Sequence, residues 1–130
     1  MKRSTMTTVV AGALVALFVG TSVASAAELR VRCEKRSGRS KIDVDARKVR
    51  RGTYTCNVTS GANSASDTKA AVRNEVQFNF DSNTGEVGDV RISADFIQNG
   101  SVCAQVTGNG INLQRCVACT VGLGSFLDRV

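Results

Sequence analysis

Apolar and polar residues alternate with a period of two along most of the chain. Runs of this kind cover residues 29–34, 42–47, 54–59, 76–81, 90–96, 102–107 and 111–121. The alternation is typical of strands that have one buried face and one solvated face. About seven short strands separated by turn-forming residues predict an all-β fold, a single antiparallel β-sandwich.

The segments between the runs contain residues that turns favour. Ser37-Gly38-Arg39 separates the first two strands, Arg50-Arg51-Gly52 precedes the third, and Asn83-Thr84-Gly85 follows the fourth. Residues 60–71 are rich in Ser, Ala, Gly and Asn. We expect them to form a mobile loop that crosses between the two sheets, with a short helix as the weaker alternative.

The last hairpin allows a prediction of register. Asn109-Gly110 is the preferred pair for a two-residue type I′ turn. With this turn, Val106 faces Leu113 on the buried side, and Cys103 falls opposite Cys116 on the solvated side. This is a non-hydrogen-bonded pair, at which the two Cα atoms approach closely enough for a disulfide. We therefore predict a Cys103–Cys116 bridge on the outer face of the sheet.

The preceding turn has more than one solution. A two-residue Asn99-Gly100 turn would place Phe96 opposite Cys103, on the wrong face. A three-residue loop, Gln98-Asn99-Gly100, places Phe96 opposite Val102, and we prefer this register. A crossover of the chain from one sheet to the other would also remove the conflict.

The N-terminus has the layout of a secretory signal peptide. Lys2 and Arg3 precede a short apolar run, Val9–Val19, and Ala24-Ser25-Ala26 supplies small residues for cleavage. We assign residues 1–26 to this signal peptide and residues 27–130 to one secreted domain without a transmembrane segment. The expected location is the periplasm or the extracellular space, where disulfides persist.

The composition argues against an enzyme. The chain has no His, no Trp and no Pro. Without His it lacks the usual proton shuttle and the commonest metal ligand, which excludes Ser-His-Asp and Cys-His catalysis and His-based zinc sites. Carboxylate chemistry is the remaining enzymatic alternative, but the spacing of Asp43, Asp45, Asp81 and Asp95 singles out no pair. We expect a non-enzymatic protein that uses no cofactor and no metal.

Two short motifs resemble redox or metal sites but have simpler explanations. Cys116-Val117-Ala118-Cys119 has the spacing of a redox motif, yet it lies in a strand, which directs the two sulfurs to opposite faces. The segment 81–86 begins like a calcium loop but lacks its order of ligands, and we interpret it as a turn. A looser calcium site is the alternative, formed by Asp81, Asn83, Glu86 and Asp89.

Five cysteines leave one over in a secreted chain. Besides Cys103 and Cys116, the other three, Cys33, Cys56 and Cys119, occupy inward-facing strand positions. We expect a Cys33–Cys119 bridge, which would tie the first strand to the last. Cys56 is then the odd cysteine, either an inert buried thiol or a covalent link to a partner in an oligomer.

Basic residues are concentrated in the N-terminal part of the predicted domain. The stretch 30–51 contains ten of them against three acidic residues. A partner of this stretch would be an acidic envelope polymer or an anionic surface. We do not expect nucleic acid as a partner, because Tyr54 alone offers a nearby ring for stacking. The alternative is that the charges protect edge strands and turns. The predicted polyanion-binding residues are Arg30, Arg32, Lys35, Arg36, Arg39, Lys41, Arg47, Lys48, Arg50 and Arg51.

Two segments fit the acceptor pattern for N-glycans. They are Asn57-Val58-Thr59 and Asn99-Gly100-Ser101. Modification of Asn57 or Asn99 requires a host that attaches such glycans.

A short segment resembles secreted immunoglobulin-like and transthyretin-like domains. Val44-Asp45, a turn, and then Gly52-Thr53-Tyr54 match their order of a strand, a Gly-x-Tyr and a further strand. The proline often found before that glycine is missing. The resemblance implies an immunoglobulin-like sandwich that binds proteins, glycans or surfaces, or serves as a structural module. It implies no catalytic residue.

These observations favour a secreted, non-enzymatic β-sandwich that binds an envelope or extracellular partner. That partner is a protein, a glycan or an anionic polymer, held through the basic residues. One alternative is a structural subunit of an extracellular fibre, coat or matrix. Another is a secreted inhibitor or effector that presents the rigid loop beside Cys103–Cys116.

Overall fold

A computed structural model describes residues 26–83 and 86–121. Within these residues the chain forms nine strands and no helix, so the all-β prediction is confirmed. Most of the predicted leader, Thr84-Gly85 of the predicted turn and residues 122–130 lie outside the described residues. The strands are β1 (Glu28–Arg36), β2 (Arg39–Arg47), β3 (Thr53–Ser60), β4 (Asn63–Ala70), β5 (Glu75–Asp81), β6 (Val90–Arg91), β7 (Ser101–Gly108), β8 (Ile111–Ala118) and β9 (Thr120–Val121).

The strands form two sheets that share one core. Sheet A has the order β6-β5-β2-β1-β9, and sheet B has the order β4-β3-β7-β8. Neighbouring strands are antiparallel except at the two edges of sheet A, where β6 runs parallel to β5 and β9 parallel to β1. Inward-facing apolar side chains of both sheets pack into a single cluster. Its largest fully buried members are Tyr54, Phe78 and Phe80.

The β7–β8 hairpin has the predicted register. Val106 pairs with Leu113, and Cys103 pairs with Cys116. Asn109-Gly110 forms the turn with φ values of 47° and 83°, the left-handed values that a type I′ turn requires. Cys103 and Cys116 are joined by a disulfide, with their Cα atoms 3.9 Å apart.

The prediction of a mobile loop at residues 60–71 is wrong. Asn63–Ala70 form β4, which pairs along its whole length with β3. Gly61, with φ of 59°, occupies the first central position of the tight turn between them, as type II′ turns require. Because β4 is an edge strand with no fully buried position, its sequence lacks the apolar alternation that reveals the other strands.

The fifth run forms a strand for only two residues. Val90–Arg91 belong to sheet A, and the chain then crosses to sheet B, where β7 begins. The preferred three-residue loop is wrong, because Gln98 pairs with Ser101 around a two-residue Asn99-Gly100 turn. The crossover alternative removes the conflict at Phe96, since that residue lies outside any strand.

Two buried serines hold the crossover in place. Ser40 Oγ on β2 donates to Ala94 O at 2.8 Å and accepts from Ile97 N at 3.2 Å. Ser60 Oγ on β3 accepts from Gln98 N at 2.7 Å. These hydroxyls form hydrogen bonds with backbone groups of the crossover that a neighbouring strand would bind if the segment were a continuous strand. One serine from each sheet therefore fixes the segment that passes between the sheets.

The predicted last strand, residues 111–121, is divided. β8 ends at Ala118, and Thr120–Val121 form β9 in the other sheet. Cys119 lies between the two strands and is bonded to Cys33 of β1, with Cα atoms 4.7 Å apart. The expected Cys33–Cys119 bridge thus fastens the point at which the chain passes from sheet B to sheet A.

Tyr54 anchors the segment that carries the immunoglobulin-like resemblance. Its side chain is 1% exposed, and its hydroxyl donates to Arg50 O at 2.7 Å. A tyrosine that bonds back to the corner before its strand is a feature of immunoglobulin-like domains. Gly52, with φ of 137°, has no room for a side chain because Asn109 packs against it. These contacts fix residues 48–52, the loop between β2 and β3.

Candidate functional site

The outward-facing residues of β1, β2 and β5 form what we call the charged face. Every outward-facing residue of β1 and β2 carries a charge. Six of the predicted polyanion-binding residues lie here, namely Arg30, Arg32, Arg36, Arg39, Lys41 and Arg47. Six acidic residues lie among them, namely Glu28, Glu34, Asp43, Asp45, Glu75 and Asp81.

The strand register places opposite charges beside one another on the charged face. Arg30 lies opposite Asp45. Arg32 lies opposite Asp43 in the same way. Arg47 Nε also lies 3.0 Å from Asp45 Oδ2. Because opposite charges on neighbouring strands compensate one another, the positive charge that is concentrated along the sequence is dispersed in space.

The shortest ion pair of the charged face joins Arg39 to Asp81. The guanidinium donates twice, from Nε to Oδ1 at 3.1 Å and from Nη2 to Oδ2 at 2.7 Å. These hydrogen bonds lower the pKa of the Asp81 carboxyl from its usual value, although burial acts in the opposite direction. Asp81 is only 6% exposed, so its charge is held by Arg39 and is little available to a ligand.

This ion pair bears on the calcium alternative. Asp81 also accepts from Asn83 N at 2.9 Å, so both its carboxylate oxygens are engaged. The four candidate ligands line a groove of about 500 Å³ together with Arg39 and Lys41, whose positive charges oppose a cation. In the described part of the chain no group of three or more acidic or cysteine side chains is arranged to hold a metal ion.

Lys35 lies on the inward side of β1, away from the charged face. Its Nζ donates to Ala94 O at 3.1 Å and lies 3.9 Å from Asp95 Oδ1. Lys35 therefore contacts the crossover between the sheets. Its side chain therefore does not contribute to the charged face.

A second group of positive charges lies at one end of the molecule. We call residues 48–52 and 71–74, which connect β2 to β3 and β4 to β5, the basic end. Their four basic side chains are all exposed. Three of them, all arginines, make no ion pair within the described residues, and only the lysine has a partner, Glu28, at 3.2 Å. The four are Lys48, Arg50, Arg51 and Arg73.

Backbone hydrogen bonds join the two segments of the basic end. Val49 N donates to Asn74 O at 3.1 Å, and Ala71 N donates to Gly52 O at 2.9 Å. Val49 is buried and attaches the loop to the core. Sequence reasoning missed Arg73 because it joins this group only when β4 is recognised as a strand that returns beside β3.

Two residues of the basic end have an unusual backbone conformation. Lys48 has φ of 62° and Arg73 has φ of 54°. The other non-glycine residues with positive φ in the described ranges are asparagines, which tolerate it. For a side chain such as Lys or Arg this conformation costs about 1 kcal/mol. The basic end thus keeps positive side chains where Gly or Asn would fit the backbone better.

The outward-facing residues of sheet B are all uncharged, and we call them the uncharged face. Arg115, on the other side of the edge strand β8, is exposed but does not belong to this face. Thr55 Oγ1 lies 3.0 Å from Thr68 Oγ1, and Gln105 Nε2 donates to Asn112 Oδ1 at 2.9 Å. Neutral hydroxyl and amide groups cover most of this face, and the Cys103–Cys116 disulfide and two alanines make up the rest. The face consists of Thr53, Thr55, Asn57 and Thr59 on β3; Ser64, Ser66, Thr68 and Ala70 on β4; Ser101, Cys103, Gln105 and Thr107 on β7; and Asn112, Gln114, Cys116 and Ala118 on β8.

Cys56 is unpaired and fully buried. Burial raises the pKa of its thiol to about 12, and the nearby negative charge of Asp67 adds to this effect. Cys56 follows Tyr54 by two positions, where immunoglobulin domains place a cysteine of their inter-sheet disulfide. A protonated thiol without access to solvent favours the inert alternative over a covalent link to a partner.

The Cys-x-x-Cys segment of β8 does not form a pair of neighbouring thiols. Cys116 is bonded to Cys103, and Cys119 is bonded to Cys33. The two sulfurs belong to separate bridges, so they form neither a redox pair with each other nor a pair of metal ligands.

The edges of both sheets have features that hinder the addition of another strand. Sheet A ends in β6 and β9, which are two residues long. In sheet B the edge strand β4 directs Asp67 and Lys69 inward, and the edge strand β8 does the same with Arg115. Short edge strands and inward-pointing charges are devices against edge-to-edge pairing. They favour a separate domain over a fibre subunit that assembles through strand addition.

The tip of the β7–β8 hairpin is packed against β3. Asn109 Nδ2 donates to Thr53 O at 3.1 Å. At Gly108 an added Cβ would lie 2.6 Å from the same carbonyl oxygen, so only glycine allows β7 to lie this close to Thr53. This packing differs from the projecting loop that the inhibitor alternative needs.

Both candidate N-glycan sites are exposed. Asn57 lies in the middle of the uncharged face, and Asn99 lies in the turn before β7. Glycosylation at either position stays a prediction.

Comparison with known proteins identifies no relative of this chain among protein families or curated proteins. Among the described residues no helix is long and apolar enough to cross a membrane. The two disulfides are typical of an oxidising compartment such as the extracellular space.

Proposed function

We propose that the protein is an exported, non-enzymatic, immunoglobulin-like β-sandwich that binds an anionic polymer at its basic end. The single core between two sheets and the contact of Tyr54 with Arg50 support the sandwich. The predicted leader and the two disulfides support export to the periplasm or the extracellular space. The lack of His supports a role without catalysis.

The backbone of Lys48 and Arg73 is the observation that carries the binding proposal. Both residues keep a positive side chain in a left-handed conformation that disfavours it. Strain that persists on an exposed surface is a sign of function. Acids compensate the basic residues of the charged face, so the attraction of a polyanion is strongest at the basic end.

Binding to dextran sulfate, a sulfated polysaccharide, tests this proposal. The affinity is expected to fall at least tenfold between about 50 mM and about 500 mM NaCl, because salt screens exposed charges. At low salt, the triple variant R50S/R51S/R73S is expected to bind about tenfold more weakly than the parent protein.

The matched control removes the same number of charges from the charged face. The variant R30S/R32S/R36S is expected to change the affinity by no more than about twofold. Equal losses in both variants would show that net charge alone governs binding. A parent protein that does not bind, or binds equally well at high salt, would contradict the proposal.

The strained residues give a second test. The variant K48N/R73N is expected to raise the free energy of unfolding by about 1 kcal/mol while it weakens binding to dextran sulfate. Urea unfolding and the binding titration measure the two effects. A variant that is less stable than the parent protein would remove the argument from strain.

The uncharged face supports a second candidate, binding of a neutral glycan. The observation in its favour is the array of hydroxyl and amide groups that covers most of this face, and these groups match the donors and acceptors of a polyhydroxylated polymer. Co-sedimentation with chitin or cellulose tests it. The variant N57D/Q105E adds two negative charges to adjacent positions of this face, and it should abolish sedimentation. The matched variant Q77E/N79D on β5 should not, and equal behaviour of both would reject this candidate.

A further inference from the structure

The two disulfides differ in their access to solvent. Cys103–Cys116 lies on the uncharged face, where Cys116 is exposed and Cys103 is partly buried. Cys33, by contrast, faces the core and is 7% exposed. Thiol–disulfide exchange requires that a thiolate reach a sulfur, and exposed disulfides are the ones that exchange. The first bridge therefore offers an exposed cysteine, Cys116, to an external thiol, whereas the second joins the buried Cys33 to the partly buried Cys119.

The strand order distinguishes the two sulfurs of the exposed bridge. Thr59 on β3, Cys103 on β7 and Cys116 on β8 lie in one row across sheet B. A thiolate attacks a sulfur from the side opposite the bond that breaks. The path to Cys116 therefore starts beyond β8, the edge strand of sheet B. The path to Cys103 passes over β3 and Thr59.

The residues around Cys116 do not repel an incoming anion. Its outward-facing neighbours along β8 are Gln114 and Ala118, which are uncharged, and Ala118 is small. No acidic residue belongs to the uncharged face. A thiolate that approaches this edge meets no like charge, and the exposed charged residue beside Cys116 on β8 is Arg115, which is positive.

The hairpin has other contacts that hold it when this bridge opens. β7 and β8 are paired from Ser101–Ala118 to Gly108–Ile111, and the Asn109-Gly110 turn fixes their register. The bridge spans a sequence separation of 13. Cys33–Cys119 spans a separation of 86 and joins the two sheets. Opening of the exposed bridge thus leaves both sheets and their connection intact.

We propose that Cys103–Cys116 is a thiol-exchange site at which a low-molecular-weight aliphatic thiol forms a mixed disulfide with Cys116. The thiolate of the small molecule attacks Cys116 Sγ and forms a new S–S bond. The Cys103–Cys116 bond breaks, and its electron pair leaves on Cys103 Sγ, which takes a proton from water. A second thiol releases Cys116 as a thiol and yields the oxidised dimer of the small molecule. The protein then carries a reduced, folded hairpin.

Treatment of the native protein with glutathione tests the proposal. The reaction is stopped with acid, free thiols are alkylated, and the peptides are identified by mass. The glutathione adduct is expected on Cys116, at least tenfold faster than any change at Cys33 or Cys119. The rate should rise linearly with glutathione concentration, because attack and not unfolding limits it.

Other results would overturn the proposal. They are an adduct mainly on Cys103, equal rates at both bridges, or a rate that is independent of glutathione concentration. A protein that shows no reaction before it unfolds would do the same. These measurements use the unaltered protein and do not depend on whether a variant folds.

A pair of variants sharpens the choice between the two sulfurs. C103S leaves Cys116 as a thiol, and C116S leaves Cys103. With oxidised glutathione, the C103S protein is expected to form its adduct at least fivefold faster than the C116S protein. Here the protein thiolate is the attacking group, so the comparison measures the access of each sulfur. Equal rates in two folded variants, checked by circular dichroism, would contradict the greater access to Cys116 from which the proposal is argued.

Discussion

The charged face and the uncharged face show two different uses of the same strand pattern. Both sheets alternate buried and solvated residues, and their buried residues join one core. On β1 and β2 every outward-facing residue bears a charge, whereas no outward-facing residue of sheet B does. Alternation therefore determines which side of a strand is buried. It leaves open what the other side carries.

The two faces also differ in how their side chains are connected. On the charged face the closest contact is the Arg39–Asp81 ion pair, which spans β2 and β5. On the uncharged face β7 and β8 are joined by a disulfide, and their neutral side chains form short hydrogen bonds. An ion pair depends on pH and salt, but a disulfide and neutral hydrogen bonds do not. The faces should thus respond differently to the same conditions.

The largest expected difference concerns the two disulfides. Replacement of Cys33 and Cys119 by Ser should lower the free energy of unfolding by about 4–5 kcal/mol, because this bridge closes the longer loop. Replacement of Cys103 and Cys116 by Ser, on the uncharged face, should lower it by about 3 kcal/mol. Urea unfolding of both double variants measures the two losses. A larger loss of free energy of unfolding for the Cys103–Cys116 variant would contradict this prediction.

A smaller effect is expected from the ion pair of the charged face. R39A leaves the carboxylate of Asp81 without its partner and should destabilise the fold by about 2 kcal/mol at neutral pH. Because the fold lowers the pKa of Asp81, the stability from this group is present above the ordinary carboxyl pKa and is lost as the pH falls through the lowered value. The difference between R39A and the parent protein should therefore shrink in acid.

Unfolding at neutral pH and near pH 3 measures this dependence, and R32A is the control. Arg32 is exposed on the same face and makes no ion pair within the described residues, so its loss should matter by less than about 0.5 kcal/mol. A loss in R39A that is the same at both pH values would show that packing of the arginine, and not its charge, stabilises the fold.

The smallest expected effect comes from charges placed on the uncharged face. Gln105 and Gln114 are cross-strand partners on β7 and β8. Q105E/Q114E places like charges opposite each other and should destabilise the fold by about 0.5 kcal/mol. Q105K/Q114E places opposite charges there and should be neutral or slightly stabilising. If the two variants are equally destabilised, loss of the amide hydrogen bonds explains the effect better than charge.

Sequence patterns were sufficient where a local signal determines the structure. Asn109-Gly110 has a strong turn preference, and it set the register that brought Cys103 to Cys116. β4 could not be recognised by alternation because an edge strand with no buried position needs no apolar residues. The crossover was misread because Ser40 and Ser60, at the ends of buried strand faces, bind backbone from a segment distant in sequence.

At the candidate site, too, the sequence could not show which residues lie close together in the folded chain. The basic residues between Arg30 and Arg51 look continuous along the chain, but the antiparallel register inserts acids from β2 and β5 between those of the charged face. Arg73 joins Arg50 and Arg51 only through backbone contacts of the folded chain. Local charge counts predicted the presence of a basic group. They could not predict which members remain uncompensated.

β1 is the first strand of the described chain to leave the ribosome, and β9, its parallel neighbour, is the last. β1 can pair with β2 at once through a tight turn, but its other edge stays open until Thr120–Val121 have been made. The partner of Cys33 arrives equally late, at Cys119. Sheet A therefore cannot be completed before β9 has been synthesised, and such distant pairing is slow. Through most of the synthesis of the described residues, β1 keeps one edge unpaired and Cys33 has no partner.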